Sequence, residues 1–384
     1  MFTKKAQPEF EMIINKQHSI LRVIGWDAYS RDFKFAPMTF LIVFLACLFM
    51  VVSLFDLYYF RDDAFNFTFV LVTLCYGTIG CARLGLAFKE SHSMSGLVIK
   101  AKETYRQATP DSREQSVLLR YTKLLKKCVT CYTITFIGGC VLTGFLPLCV
   151  YLWNGLKILP FGVILPFIDP DSRSGYQLNY AYQVSCILWT PPGLTASQNV
   201  FFALIFNICI QFDMLVIKLD DLDKLIVTSD GENMDSAIHD KIKEIVRYQQ
   251  RLYNFILTLK NLYSTQIFID INCNAFQVIV TLFVLHIDIW MPGYMMISVA
   301  TFQIFLLSFL GTLIEVKIDV LNNRIYDISW HKMPALERKN VQFMLHRSQQ
   351  TLQLTYGGLV PLNMNLFVSV YKMIYSIFMM LQNL

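Results

Sequence analysis

The chain has 384 residues, of which 55% are hydrophobic and only 16% are charged, and its mean hydropathy is +0.45. This composition excludes an ordinary soluble domain, in which roughly 25% of residues are charged. The net charge of +5 is not clustered on a polar folded surface, so we expect no nucleic acid partner. The composition indicates a membrane protein whose basic loops lie beside anionic lipid headgroups.

Long uncharged stretches are the main feature of the chain. Each is near or above the roughly 20 residues that an α-helix needs to cross a bilayer, so we expect seven transmembrane helices. The sequence therefore predicts an all-α membrane protein. In chain order the stretches occupy residues 35–55, 64–88, 128–156, 174–212, 261–287, 289–314 and 348–384.

Basic residues fall in every second gap between these stretches. Of the 33 Lys and Arg residues, 28 lie in the N-terminal arm and in the gaps 89–127, 213–260 and 315–347. Cytoplasmic loops retain Lys and Arg, so this side is expected in the cytoplasm. The N-terminus is then cytoplasmic, and seven crossings put the C-terminus outside the cell. This orientation opposes the alternative of a metabotropic seven-helix receptor, which has the reverse one.

The charge pattern divides the chain into four regions. Residues 1–34 form a cytoplasmic N-terminal arm without a recognisable cleavable signal peptide, so the first crossing is expected to act as the insertion signal. Residues 35–212 hold crossings one to four and an outer loop, 157–180, whose prolines and aspartates favour turns and which we expect to act as a lid. Residues 213–350 hold crossings five and six with cytosolic anchor helices. Residues 351–384 hold the seventh crossing.

Two inner gaps carry apolar residues at helical spacing. Residues 234–262 are expected to form a helix that runs into the fifth crossing, and a turn is expected before it at 230–233. Residues 334–350 are expected to form an amphipathic helix before the last crossing. Such extensions would pack together beneath the membrane as a cytosolic anchor.

Residues with catalytic or metal-binding potential are scattered along the chain. It has no Gly-rich phosphate loop and no His-Glu-x-x-His motif, and its six histidines show no spacing typical of a triad. We therefore expect neither an enzyme nor a cofactor. The ten cysteines lie in or beside apolar stretches, where thiols behave as small hydrophobes. The sequence does not decide whether Cys149 and Cys186 form a disulfide or whether Asn66 is glycosylated.

Three ionisable residues lie in or near crossings, where burial is costly and often functional. Arg83 is near the inner end of the second crossing and is expected to extend to the headgroups. Asp270 is expected in the cytosolic part of the fifth helix. Lys372 interrupts the last apolar segment and either faces an aqueous path or pairs with a neighbouring helix. No chain of carboxylates accompanies it, which disfavours a proton-coupled transporter.

The last crossing is rich in polar residues. At 100° per residue, Ser369, Met373, Ser376, Met380 and Leu384 fall within one stripe. The stripe has hydroxyls in its deeper part and is apolar toward the outer end, as in a pore that closes by dewetting. A buried packing stripe would have the same pattern, so both interpretations stay open.

These residues resemble the insect odorant receptors, specifically the odour-tuning subunits, over nearly the whole chain. The outer loop has similar elements in Leu159-Pro-Phe161 and Pro166-Phe167-x-Asp169. The most specific motifs are Phe309-Leu-Gly-Thr312, Trp330, Met344-Leu-His-Arg347-Ser-Gln349, Gly357-Gly358 and Lys372-x-x-Tyr375-Ser376-x-Phe378-x-x-Leu381. Ile374 and Thr312 depart from the Ser and Asn that the family often has at these positions.

The related gustatory receptors are the main alternative. They end in a Thr-Tyr…Gln-Phe motif, whereas the corresponding positions here are Ser376, Ile377, Asn383 and Leu384. The ending therefore favours the odorant branch.

The resemblance implies an odorant-gated, poorly selective channel for monovalent and divalent cations, located in the plasma membrane of a sensory neuron dendrite. It further implies a heterotetramer with the shared co-receptor subunit, in which each seventh helix lines a central pore. Met380 and Leu384 match the apolar gate positions of the co-receptor, and Asn383 matches a polar residue beside them. Met373 and Ser376 would line the pore at deeper levels.

The resemblance also implies a ligand pocket in the outer half of the bundle, among the second, third, fourth and sixth helices. Such a pocket is apolar and aromatic and suits a small volatile ligand held by shape and desolvation. The candidate ligand residues are Phe69, Thr73, Tyr76, Leu142, Phe145, Cys149, Phe201, Phe202, Met296 and Phe302.

Overall fold

The computed structural model describes residues 6–30, 34–108, 112–160, 162–170, 172–228, 234–287, 291–350 and 352–382, and these are almost wholly helical. The helices are α1 (Ala6–Val23), α2 (Pro37–Tyr59), α3 (Ala64–Gln107), α4 (Ser112–Asn154), α5 (Arg173–Thr228), α6 (Met234–Ile287), α7 (Met291–Asp327), α8 (Ala335–Ser348) and α9 (Met364–Gln382), with a short 3-10 helix at Trp330–Lys332 and strands β1 (Thr355–Tyr356) and β2 (Val360–Pro361). In these ranges seven helices, α2 to α7 and α9, are long and apolar enough to cross a membrane, as predicted.

Several helices are much longer than a bilayer is thick. At 1.5 Å per residue, the 56 residues of α5 span about 84 Å, against a hydrocarbon core of about 30 Å. The parts of α3 to α7 that extend past the apolar stretches carry most of the Lys and Arg residues, and with α1 and α8 they form what we call the basic end of the bundle. The helix predicted at 234–262 is confirmed as the first part of α6, and the helix predicted at 334–350 is confirmed as α8, which is slightly shorter than predicted. The predicted turn at 230–233 lies outside the described residues.

Helix α5 is the centre of the bundle. Every residue from 193 to 212 is buried, because α1, α4, α6 and α7 pack around it. This stretch is mostly apolar and has no exposed side, which is typical of a fully enclosed helix. Small residues, among them Gly193, Ala196 and Ala203, let neighbouring backbones approach closely.

The N-terminal arm is a packed part of the fold. The buried face of α1 carries Phe10, Ile14 and Leu21, and α1 packs on α3, α4 and α5. The Tyr29 hydroxyl lies 3.2 Å from Ser197 Oγ and 3.3 Å from the Tyr263 hydroxyl. Burial raises the pKa of Tyr29 above its ordinary value, so this hydroxyl stays protonated and holds the arm to α5 and α6 as a neutral group.

Arg83 does not extend to the headgroups, so that prediction is wrong. Its side chain is 5% exposed. Its Nη2 donates to Asp270 Oδ2 at 2.7 Å and to Gln198 Oε1 at 2.8 Å, and its Nη1 donates to the Leu194 carbonyl at 2.9 Å. Asp270 is buried opposite it on α6. The sequence of α3 could not reveal this arrangement, because the charge partner lies 187 residues further along the chain.

The described part of the loop between α4 and α5 is fastened to the helices beside it. The Ile164 N–H donates to Asp56 Oδ2 of α2 at 2.8 Å, and the Leu165 N–H donates to Asn179 Oδ1 of α5 at 2.7 Å. Cys149 and Cys186, at the two sides of this loop, are free thiols, the first exposed and the second buried.

The last crossing begins later than the stretch 348–384 predicts. Strands β1 and β2 pair antiparallel, and Gly357 and Gly358 between them have φ values of +60° and +80°, a conformation that favours glycine. Helix α9 follows this hairpin and has only 19 residues.

The hairpin and the first turn of α9 are clamped to α6 and α7. The Tyr356 hydroxyl donates to Asn272 Oδ1 at 2.9 Å, and the Met364 N–H donates to Thr312 Oγ1 at 2.9 Å. A Cβ added to Gly311 would overlap the Leu362 carbonyl. The N-terminal end of α9 is therefore held firmly against two other helices.

A candidate ligand cavity and an exposed polar helix face

A cavity of about 120 Å³ lies among α2, α3, α4, α5 and α7. Its wall is formed by Ala46, Phe49, Thr73, Tyr76, Gly77, Gly80, Cys81, Leu84, Phe136, Gly139, Cys140, Thr143, Cys186, Ile187, Trp189, Thr190, Pro191, Leu194, Met295, Met296 and Val299. Glycines, which have no side chain, create much of this space. A Cβ added to Gly80 would meet no heavy atom within 4 Å, and one added to Gly139 would touch only Val299 and Met295.

The wall is apolar because most of its polar side chains bond to protein groups. Thr73 Oγ1 donates to the Val70 carbonyl at 2.8 Å, and Thr143 Oγ1 donates to the Gly139 carbonyl at 2.9 Å. The Tyr76 hydroxyl accepts from Gln277 Nε2 at 3.0 Å. An apolar cavity somewhat below 150 Å³ is of the size that holds a benzene-sized molecule.

Some of the predicted ligand residues line this cavity and others do not. Thr73, Tyr76 and Met296 are in its wall. Phe201 and Phe202 are each 1% exposed, but they pack in the core, against Tyr263 and Tyr132. Their aromatic rings stabilise the bundle beyond the cavity.

The remaining predicted ligand residues lie away from the cavity wall. Leu142, Phe145 and Cys149 are on the exposed face of α4. Phe69 packs beside Gly162 of the α4–α5 loop, and Phe302 is partly buried against the core. Lipid tails are as apolar as the interior, so the hydropathy of a membrane helix does not reveal which of its faces points inward.

The cavity wall also contains residues of α2 and α5 that were not predicted from the sequence. Phe49 and Trp189 are the largest of them. The sequence does contain one indication of these residues, the proline pair Pro191-Pro192. A proline pair inside an apolar stretch removes two helical hydrogen bonds. Such a site in a membrane helix indicates an irregular backbone that neighbouring groups must satisfy.

Helix α9 packs on the rest of the chain by one face only. Leu366, Val370 and Ile374 are its buried residues, and they face α6 and α7. The opposite face carries Asn365, Ser369, Lys372 and Ser376, which recur every three or four residues and are all exposed. We call these four residues the polar face of α9.

The predicted pore residues lie on or beside the polar face. Met373 and Met380 are 45% and 59% exposed, and Ser376 belongs to the face itself. Asn383 and Leu384 lie outside the described residues. In the described part of the chain, Lys372 has no salt bridge and no hydrogen bond, so pairing with a neighbouring helix of the same subunit is not seen.

Within the described ranges, seven helices are long and apolar enough to cross a membrane, and five of them enclose an apolar cavity. This architecture is that of a multi-pass membrane protein. The chain belongs to the odorant receptor family, because the family model described as 7tm Odorant receptor matches residues 66–375. This match confirms the resemblance found in the C-terminal motifs.

Individual odorant receptors are similar to long parts of the chain. Putative odorant receptor 83c of Drosophila melanogaster is 21% identical over 63% of this chain and 64% of its own length. Odorant receptor 30a of the same species is 22% identical over 70% of this chain and 67% of its own length. The aligned region thus spans about two thirds of these relatives.

The fold is also found in a solved structure. The insect olfactory receptor OR5 from Machilis hrabei, in complex with eugenol, superposes with a TM-score of 0.84 over 99% of this chain and 100% of that chain. Its sequence identity is 15%, so this likeness establishes the seven-helix fold alone.

Proposed function

We propose that the chain is the odour-tuning subunit of an odorant-gated, non-selective cation channel in the plasma membrane of sensory neuron dendrites. A small volatile ligand binds in the cavity among α2 to α5 and α7. Binding favours an arrangement in which the α9 helices move apart and monovalent and divalent cations pass between them, a population shift between two packings. The partner is the shared co-receptor subunit, in a heterotetramer.

The polar face of α9 is the observation that carries this proposal. In a lone subunit this face would meet lipid, and a lysine alone at the centre of a bilayer costs about 2.5–3.5 kcal/mol on insertion scales. The face avoids this cost if other subunits and water cover it. Four such helices around one axis would enclose a water-filled path.

The C-terminal end of α9 fits a gate. Met379 and Met380 are exposed there, and beyond them the sequence continues to Leu384. Apolar side chains around a narrow pore exclude water and ions until the pore widens. The serines of the polar face lie below this apolar end and would keep the rest of the path wet.

The function is tested by recording currents from cells that express the chain with the co-receptor, each alone, or neither, against a panel of volatiles. Rapid odour-evoked cation currents are expected only when the chain and the co-receptor are present together. Currents that need a G protein would contradict the proposal in favour of a metabotropic receptor.

The pore assignment is tested separately by cysteine accessibility. A charged thiosulfonate reagent should block the odour-evoked current of Ser369→Cys and Ser376→Cys, because both positions lie on the polar face. Val370→Cys and Ile374→Cys are the matched controls, since they lie on the buried face of the same helix. Equal block at all four positions, or at none, would refute the assignment.

The proposed orientation puts the basic end of the bundle in the cytoplasm. An epitope tag on the N-terminus should stain only permeabilised cells, and a tag on the C-terminus should stain intact cells. Staining of the N-terminal tag on intact cells would show that the topology is the reverse of the proposed one.

A further inference from the structure

We propose that the tip of the α4–α5 loop is a membrane anchor, in which the aromatic ring of Phe167 inserts among the lipids of the leaflet at the end of the bundle opposite the basic end. The partner of this tip is the bilayer itself, rather than a soluble protein or a second subunit. The inference goes beyond the proposed function and does not depend on it, because it concerns only how this loop meets the membrane that the helices cross.

The backbone at Phe167 has a conformation that phenylalanine seldom adopts. The Ile168 N–H donates to the Leu165 carbonyl at 3.3 Å and closes a turn. Pro166 is at the second position of this turn, and Phe167, with a φ of +66°, is at the third. These are features of a type II turn, whose third position usually takes glycine. A bulky side chain at this position carries a conformational cost that another interaction must offset.

The described part of the chain does not supply that interaction. The Phe167 side chain is 100% exposed, although its ring centroid lies 6.3 Å from that of Phe55 on α2. Transfer of a phenylalanine ring from water into an apolar environment is favourable, and the gain is of the same order as the cost of a left-handed backbone. Contact with lipid would therefore offset the strain at Phe167.

The position of Phe55 puts the loop tip at the membrane surface. Val51, Leu54, Phe55 and Tyr58 recur at helical spacing and are all exposed, so they lie on one side of α2. Since α2 is long and apolar enough to cross the membrane, this exposed side faces lipid. Phe55 lies four residues before the last residue of α2, about 6 Å from its end. Phe167 thus continues the lipid-facing side of α2 near the end of the crossing.

Other aromatic residues mark the same level. Tyr58 and Tyr59 at the end of α2 and Trp153 at the end of α4 are exposed. Tyr and Trp are enriched at the boundary between lipid and water, so these side chains indicate where the leaflet ends. Phe167 lies beside Phe55, one turn before Tyr59, and is therefore at this boundary.

The preceding residues of the loop hold the tip at this level. The Ile164 N–H is bonded to Asp56, the neighbour of Phe55 in the chain. Val163 is fully buried and packs with Val52 of α2. This part of the loop is built into the helix bundle, so the turn presents only its tip to the lipid.

Photo-crosslinking of the purified full chain in nanodiscs of palmitoyl-oleoyl phosphatidylcholine tests the anchor directly. On illumination, p-benzoylphenylalanine in place of Phe167 should form adducts with the mass of the lipid. The same replacement of Phe145, on the exposed face of α4 within the membrane, is the positive control. Replacement of Phe343, exposed on α8 at the basic end, is the negative control and should give no lipid adduct.

The mass of the adduct at position 167 decides between the possible partners. An adduct with lipid supports the anchor. An adduct with polypeptide, or no lipid adduct at position 167 when position 145 gives one, would overturn it. The measurement needs no current, so its result is independent of whether the chain forms an odorant-gated channel.

Substitutions at Phe167 measure the contribution of the ring. Phe167→Ser keeps a side chain on the left-handed backbone but removes the ring. In the same nanodiscs, cleavage before Asp169 by an aspartate-specific endoproteinase should therefore become roughly tenfold faster. Phe167→Trp keeps an aromatic anchor and should be cleaved at the wild-type rate. Equal rates for Phe167→Ser and the wild type would show that lipid does not hold the tip and would overturn the inference.

Discussion

The Arg83 guanidinium and the Asp270 carboxylate are 2.7 Å apart, and their side chains are only 5% and 4% exposed. The pair joins α3 to α6 directly beside the candidate ligand cavity. Leu84 lines the cavity, and so does Leu194, whose carbonyl accepts a hydrogen bond from Arg83. The wall of the cavity is thus linked to the buried ion pair through the Leu194 carbonyl.

Loss of one partner of this pair should destabilise the fold strongly. Arg83→Met leaves a buried carboxylate alone, and such changes typically cost about 3–5 kcal/mol. We expect cell-surface expression and the melting temperature to fall. The double variant Arg83→Met with Asp270→Leu removes both charges and should recover much of the loss, because an apolar pair can replace a buried ion pair. A double variant as unstable as Arg83→Met would mean that charge pairing is not what the site requires.

Filling the cavity should reduce ligand potency without harming the fold. Gly80→Leu would place its side chain in the open space of the cavity and remove the burial of two or three ligand carbons, so the half-maximal odour concentration should rise roughly 15- to 60-fold. Gly85→Leu is the matched control, because Gly85 lies on the same helix with equally open space but outside the cavity wall. Equal effects of both changes would indicate that the cavity is not the binding site.

The α4–α5 loop should become more accessible when its attachment to α2 is removed. Asp56→Ala deletes the carboxyl oxygen that accepts from the Ile164 N–H, and one hydrogen bond contributes about 0.5–1.5 kcal/mol. Limited proteolysis within 156–170 should then proceed faster than in the wild type. Asp62→Ala, at an exposed position just beyond the end of α2, should leave the cleavage rate unchanged.

The polar face of α9 should govern ion permeation. If Lys372 lines the pore, Lys372→Gln removes a positive charge from the path, and a unit charge at about 4 Å in water alters the energy of a monovalent cation by about 1 kcal/mol. The permeability of calcium relative to sodium should therefore rise severalfold, measured from reversal potentials. Lys339→Gln on α8, exposed at the basic end, is the control and should have no effect. Unchanged permeability in Lys372→Gln would place the lysine outside the pore.

The hydropathy and charge patterns of the sequence predicted the architecture well. Uncharged stretches and the distribution of Lys and Arg depend on length and composition alone, so they identify the membrane helices and the extensions such as the first half of α6. The C-terminal motifs identified the family because each motif is contiguous in the chain. The proline pair Pro191-Pro192 in α5 also indicates an irregular helix backbone beside the cavity, but it was not used as a sign of the cavity.

The sequence could not predict which residues meet in space. Arg83 and Asp270 pair across helices that are far apart in the chain, and Phe145 and Tyr76 look equally suitable for a pocket although only Tyr76 lines the cavity. In water, polarity separates the surface of a helix from its interior. In a bilayer both faces are apolar, and only the packed structure distinguishes them.

The clamp at the start of α9 has a mechanical consequence. With its first turn fixed against Thr312 and the hairpin fixed against Asn272, any tilt of the helix would pivot about that end. Its 19 residues make an arm of about 28 Å. A tilt of about 5° therefore carries the far end roughly 2.5 Å sideways, while the fulcrum hardly moves. A small rearrangement near the clamp would thus be amplified into a displacement as wide as a water molecule at the tip.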